Sequence, residues 1–151
     1  MLAKKNVLFC LGLIIGGFSP QLIHGQTAPA AGDGVYSADQ AQRGEALYKK
    51  QCTACHGEAL DGAGPYPPLS GNDFLTKYAG KPASNLYDMI QKLMPATAPG
   101  SLSRPDAADL LAYILSFNKF PAGKTDFPSD ADSLKKLTLP TAPASAPKPA
   151  Q

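Results

Sequence analysis

At 151 residues the chain has room for one domain, and for less once its two ends are set aside. Its 14 Lys and Arg against 12 Asp and Glu give a formal charge of +2, and the surplus lies outside the middle. Lys4 and Lys5 stand at the start, Lys135, Lys136 and Lys148 at the end, and the stretch from Val35 to Phe127 is balanced, without the basic footprint of a nucleic-acid binder.

Taken in order, Met1 to Gly25 joins Lys4 and Lys5 to an apolar run, Val7 to Phe18, and then to Pro20. That is the architecture of a secretory signal, and the run is shorter than the roughly 20 residues a bilayer crossing needs. Residues 1–25 are therefore expected to be a signal peptide, removed on export to the periplasm, and the mature chain to have no membrane span. Residues 26–34, small and Pro-containing, read as a flexible linker.

Ser37 opens a helix, with Gln40 three residues on to complete a capping box. Gly44 inside it costs about 1 kcal/mol relative to Ala, which a close helix crossing explains, with Tyr48 on the same face. The helix leads into Cys52-Thr53-Ala54-Cys55-His56. Two cysteines three apart followed by histidine form the attachment sequence for a c-type haem. The spacing suits two thioether bonds to one porphyrin edge, with His56 beneath the iron. A structural zinc site needs four ligands. Apart from these three, the only Cys and His are Cys10 and His24, both in the leader, so a carboxylate would have to complete it. A dithiol redox centre would need a βαβ setting, and the flanks read as helical and Pro-rich.

Gly57 to Gly71 is a loop punctuated by Gly and Pro. A loop this long in a small domain usually has a function. Here it is expected to wrap the His56 side of the haem, with the Pro67 carbonyl fixing the ring tautomer. A helical turn is expected at Asn72 to Tyr78. Ser84 is expected to cap a helix carrying Leu86, Met89, Ile90 and Leu93 on one face, ended by Pro95. Met89, mid-helix, reads as core filler, whereas Met94 at the exit is the expected second axial ligand. Ser103, Pro105 and Asp106 begin the last helix, whose apolar face runs through Leu110, Leu111, Tyr113, Ile114 and Phe117. Residues 128–151 turn to Pro, Ala, Ser and Lys and read as a disordered tail.

In this order the residues resemble the class I c-type cytochromes. The likeness covers Ser37 to Gly123 through Gly44 and Tyr48, the Cys52-to-His56 motif, Pro67-Pro68-Leu69-Ser70-Gly71, Met94, and Leu111-Ala112-Tyr113. It implies an all-α cytochrome c fold over residues 35–127, with three main helices and short turns around one covalently bound haem. It also implies that Gly44 and Tyr48 cross Leu110 and Tyr113, and that His56 and Met94 are the iron ligands. The chain has no Trp where many relatives place one near a haem propionate, and Tyr78 is expected to take that hydrogen bond. The loops from Met94 to Ser103 and from Phe120 to Gly123 are similar to cytochrome subunits that serve periplasmic dehydrogenases. The function so implied is one-electron transfer between redox partner proteins, with no nucleic acid involved and no enzyme activity of the chain's own. The alternative is a haem enzyme or gas sensor with an open sixth iron position.

Overall fold

Ser37 starts the first helix because its hydroxyl accepts the Gln40 amide at 3.0 Å, and Asp39 lies in the positive first turn. The computed structural model describes residues 34–141. The expected signal peptide and residues 26–33 therefore lie outside the described residues, as do residues 142–151. Among the described residues the elements are α1 (Ala38–Gln51), α2 (Thr53–His56), α3 (Gly71–Tyr78), α4 (Ala83–Leu93), α5 (Arg104–Phe117) and α6 (Ala131–Lys136). They are joined by loops, with only isolated bridges of β type. This is the all-α architecture expected, its main helices α1, α4 and α5.

The most extensive helix contact is between α1 and α5, and Gly44 sits at its centre. A Cβ on Gly44 would overlap the Asp109 carbonyl and come within 2.9 Å of Tyr113 Cβ. One turn further along, the rings of Tyr48 and Tyr113 lie 5.2 Å apart. Two charged side chains close the edge of the crossing. Arg43 grips the largely buried Asp109 at 2.9 and 3.0 Å, and reaches Asp126 at 2.7 Å, whose other oxygen accepts from Ser37. Asp109 therefore serves as an ion-pair partner between helices. The α5 core residues Leu110, Leu111, Ile114 and Leu115 are all at most 3% exposed. Each such side chain contributes about 1.5–3 kcal/mol through burial.

Gln40 departs from its expected role. Its side-chain amide turns away from the cap and pairs with the backbone of Phe127 in both directions, at 2.6 and 3.3 Å. Gly34 does not behave as linker either: an added Cβ would overlap the backbone of Pro121 and Ala122, because the chain entering α1 runs beside the chain leaving α5.

The largest correction concerns residues 128–141. In place of a disordered tail they form a strap across α4. Asp130 caps α6, the Ala83 amide donates to the Leu137 carbonyl at 2.8 Å, and the Leu139 amide donates to Lys81 at 2.9 Å. Leu134 and Leu139 are 0% and 1% exposed. The three leucines are too few to make a core alone, but here they complete one that α4 begins. The expected Ser84 cap is displaced for the same reason. The helix starts at Ala83, and the strap's Leu137 carbonyl accepts its amide, one of the first-turn donors that have no partner within the helix.

Candidate haem-binding site

The end of α1 delivers the Cys-x-x-Cys-His segment as one tight turn. The Cys52 amide donates to Tyr48 at 2.9 Å, and the Cys52 carbonyl then accepts from Cys55 at 3.1 Å and His56 at 2.9 Å. Residues three and four apart share a helix face, so both thiols and the imidazole are presented together. Both cysteines are free and partly buried. Burial, and then the neighbouring Cys55, pushes the Cys52 thiol up to about 11, so it is a neutral thiol at physiological pH.

After His56 the chain reverses at Gly57, whose φ of 75° favours glycine. The Gly57 carbonyl accepts the Tyr48 hydroxyl at 2.8 Å, which ties the turn back to α1. Burial, with smaller contributions from Cys52, Tyr113 and Asp61, pushes the Tyr48 phenol up, so the donor stays protonated. The loop then folds back on His56. The Gly62 amide donates to the His56 carbonyl at 3.0 Å, and His56 Nδ1 lies 3.0 Å from the Pro67 carbonyl. A carbonyl can only accept, so Nδ1 holds the proton and Nε2 keeps a free lone pair.

Asn118, at the end of α5, was missed from the sequence. It is 7% exposed and donates from Nδ2 to the carbonyls of Leu69 and Ile114, both at 2.9 Å. Its Oδ1 accepts the Gly71 amide at 3.2 Å. It thereby pins the loop that carries Pro67 to the last helix. A single Asn after a helix looks like an ordinary C-cap, and its loop partners are 47 and 49 residues away, beyond the reach of any local pattern.

Cys52, Cys55 and His56 open into a cavity of about 290 Å³ whose lining also includes Pro67, Tyr78, Met89 and Met94. Its walls are apolar, with Leu69, Leu86, Ile90, Leu110 and Ile114 among them. Met89 is thus on the cavity wall and only partly buried, unlike the core filler it was expected to be. Met94 is the C-cap residue of α4. Tyr78 packs on Phe74 with ring centroids 5.1 Å apart, and Lys77, which the sequence did not single out, lies 5.3 Å from the Tyr78 ring and also lines the cavity.

The profile of the family described as cytochrome C oxidase, cbb3-type, subunit III matches residues 39–114, half of the chain. The chain belongs to this family of class I c-type cytochromes. Two curated relatives of this cytochrome are each named thiosulfate dehydrogenase. That of Stutzerimonas stutzeri (strain A1501) is 35% identical over 85 residues, covering 51% of this chain and 27% of the relative. That of Allochromatium vinosum is 38% identical over 80 residues, covering 48% of this chain and 30% of the relative. The cytochrome therefore spans under a third of the length of these relatives. Among solved structures, sulfane dehydrogenase SoxCD from Paracoccus pantotrophus aligns with 85% of this chain and 73% of its own, at 21% identity and a TM-score of 0.47.

These names correct one expectation. The reading of the chain as having no enzyme activity is overturned by relatives that are themselves named as enzymes, which points to an enzyme-associated role.

Membership of the family implies haem c, and the residues fit it. Two free thiols, an imidazole whose Nδ1 is engaged, two thioether side chains and apolar walls share one cavity. A zinc site is less well served: among the described residues no group of three or more His, Cys, Asp and Glu side chains is placed to hold a metal ion. No helix among the described residues is long and apolar enough to cross a membrane.

Proposed function

We propose that the protein is an exported, periplasmic cytochrome with one haem c, which takes single electrons from a dehydrogenase and passes them to a respiratory acceptor. The observation that carries this reading is the His56 geometry, in which the Pro67 carbonyl holds Nδ1 and leaves Nε2 free beside two thiols in an apolar cavity. Cys52 and Cys55 would hold the haem covalently, His56 and Met94 would bind its iron, and Tyr78 would hydrogen-bond a propionate. A bound haem c would supply a one-electron iron couple, whose potential Met94 as a ligand would raise. The protein's own contribution is positional. Tyr48 and Asn118 hold the His56 turn and its loop, Leu110 and Ile114 keep water from the cavity, and Lys77 places a cation at its edge. The names of the relatives favour a sulfur compound such as thiosulfate as the electron source and a place for the domain beside, or within, a dehydrogenase. Export is supported by the basic and apolar pattern of residues 1–25.

The sixth ligand separates this reading from one with an open iron. The oxidised protein should be low-spin, with the weak long-wavelength thioether-to-iron band. Met94→Ala should abolish that band and let carbon monoxide bind the reduced form. Met89→Leu should change neither. Rapid carbon monoxide binding by the native protein at neutral pH would point instead to an open site, and loss of the band in Met89→Leu alone would assign the other methionine.

A further inference from the structure

We propose that the strap of residues 128–140 sets the position of Met94, and that Leu134 and Leu139 are positioning residues for the sixth iron ligand; this rests on the reading of Met94 as that ligand. The geometry of α4 leads there. One stripe of the helix, Leu86 and Ile90, lines the cavity. Ala83 and Tyr87, at 0% and 4% exposed, are outside that lining and are bonded to the strap. The Ala83 amide meets the Leu137 carbonyl at 2.8 Å, and the Tyr87 hydroxyl lies 3.2 Å from the Ser129 carbonyl and 3.3 Å from that of Arg104. Leu139 and Pro140 add backbone bonds to Lys81 and Gly80 at 2.9 and 3.2 Å. The strap therefore fixes the start of the helix and the flank beside its cavity-lining stripe.

Met94 is the residue on which α4 ends, its amide bonded to Ile90 at 3.1 Å. The segment after it cannot fix the sulfur by itself. Residues 96–100 are exposed, and the backbone bonds formed there, Ala98 to Pro95 and Ser101 to Ala98, are local turns. The position of Met94 thus follows that of α4, and the strap holds the flank of α4 that lies beside the cavity-lining stripe. Attachment through Cys52 and Cys55 depends on α1 and α2 instead. Weakening the strap should therefore leave haem on the chain and release the methionine.

The test uses the full-length, exported holoprotein and reads the thioether-to-iron band per covalent haem, together with carbon monoxide binding to the reduced form. Leu134→Ala/Leu139→Ala should keep covalent haem, lose most of the band and bind carbon monoxide. The volume-conserving Leu134→Met should retain the band. Leu115→Ala, which removes a buried α5 leucine outside the cavity lining, should retain it too, although it also destabilises the fold. A full band and no carbon monoxide binding in the double variant would overturn the inference, as would equal loss in Leu115→Ala. If the double variant yields no holoprotein, the native protein decides. In sub-denaturing guanidinium the band should disappear together with hydrogen-exchange protection of the Ala83 and Leu139 amides, before protection in α1 and α5 is lost. Loss of the band while those two amides stay protected overturns the inference. A band absent from the native protein, or surviving in Met94→Ala, removes the Met94 reading itself. A Met94-dependent band that survives in the strap variants removes only the role of the strap.

Discussion

His56 and Asn118 illustrate two ways in which a side chain is held. The first uses local chemistry, since an imidazole that follows Cys-x-x-Cys is carried to its place by a single helical turn. The second is long-range, since Asn118 satisfies a loop carbonyl and a loop amide that no sequence neighbour supplies. Asn118→Leu removes the hydrogen-bond partner of both of these partly buried groups and should cost about 1–3 kcal/mol, at about 0.5–1.5 kcal/mol for each bond, measured by denaturant unfolding of the holoprotein. Because Leu69 is two residues from Pro67, the same variant should speed solvent exchange of the His56 Nδ1 proton, seen by NMR. Unchanged exchange would mean that the Pro67 loop is held without Asn118. Gly44 makes a sharper steric demand. Gly44→Ala should destabilise by at least about 1–3 kcal/mol, or prevent folding, in spite of the better helix propensity of Ala. A thermal midpoint equal to or above that of the native protein would contradict the close crossing at Asp109.

Helix ends decided which elements were readable from sequence. Ser37 and Ser103 cap α1 and α5 through their own hydroxyls, so the residues that start these helices are written at the starts. The beginning of α4 is not, because its first amide is taken by Leu137, more than fifty positions away. The same long-range pairing hid the strap. Leu134, Leu137 and Leu139 are sparse among Lys, Ser and Pro and show no core of their own. The cavity was readable through Cys52, Cys55, His56 and Pro67, which are close in sequence, and less so through α4, where spacing alone did not show that Met89 faces the cavity. The ion cluster joining α1, α5 and Asp126 makes a prediction for pH. The hydrogen bond from Ser37, and then that from Arg43, hold the Asp126 carboxyl below its ordinary value. A depressed folded-state value means that its contribution is complete above the unfolded carboxylate value, about 3.9, and is lost as pH falls through the folded one. Asp126→Asn should therefore be slightly less stable than the native protein at pH 7, by under about 1 kcal/mol for so exposed a pair. The difference should vanish in strong acid, once pH has fallen through the folded value, as read from urea midpoints. A difference that persists in strong acid would show that the cluster acts by packing and not by charge.

For the molecule as a whole, α1, α2 and the Pro67 loop carry Cys52, Cys55 and His56 on one side of the cavity, α4 with the strap beside it supplies another wall, and α5 packs on both α1 and α4. Membership of the cytochrome c family supports electron transfer by this chain, and the proposal to be tested is that one haem is held in the cavity through both sulfurs. The most direct measurement is the intact mass of the exported protein under denaturing conditions, after acid–acetone extraction, compared with Cys52→Ala and Cys55→Ala. The native chain should exceed the mass of its mature polypeptide by one haem, and either variant should show severely reduced holoprotein yield. A native mass equal to that of the bare polypeptide, or haem removed completely by extraction, would contradict the account.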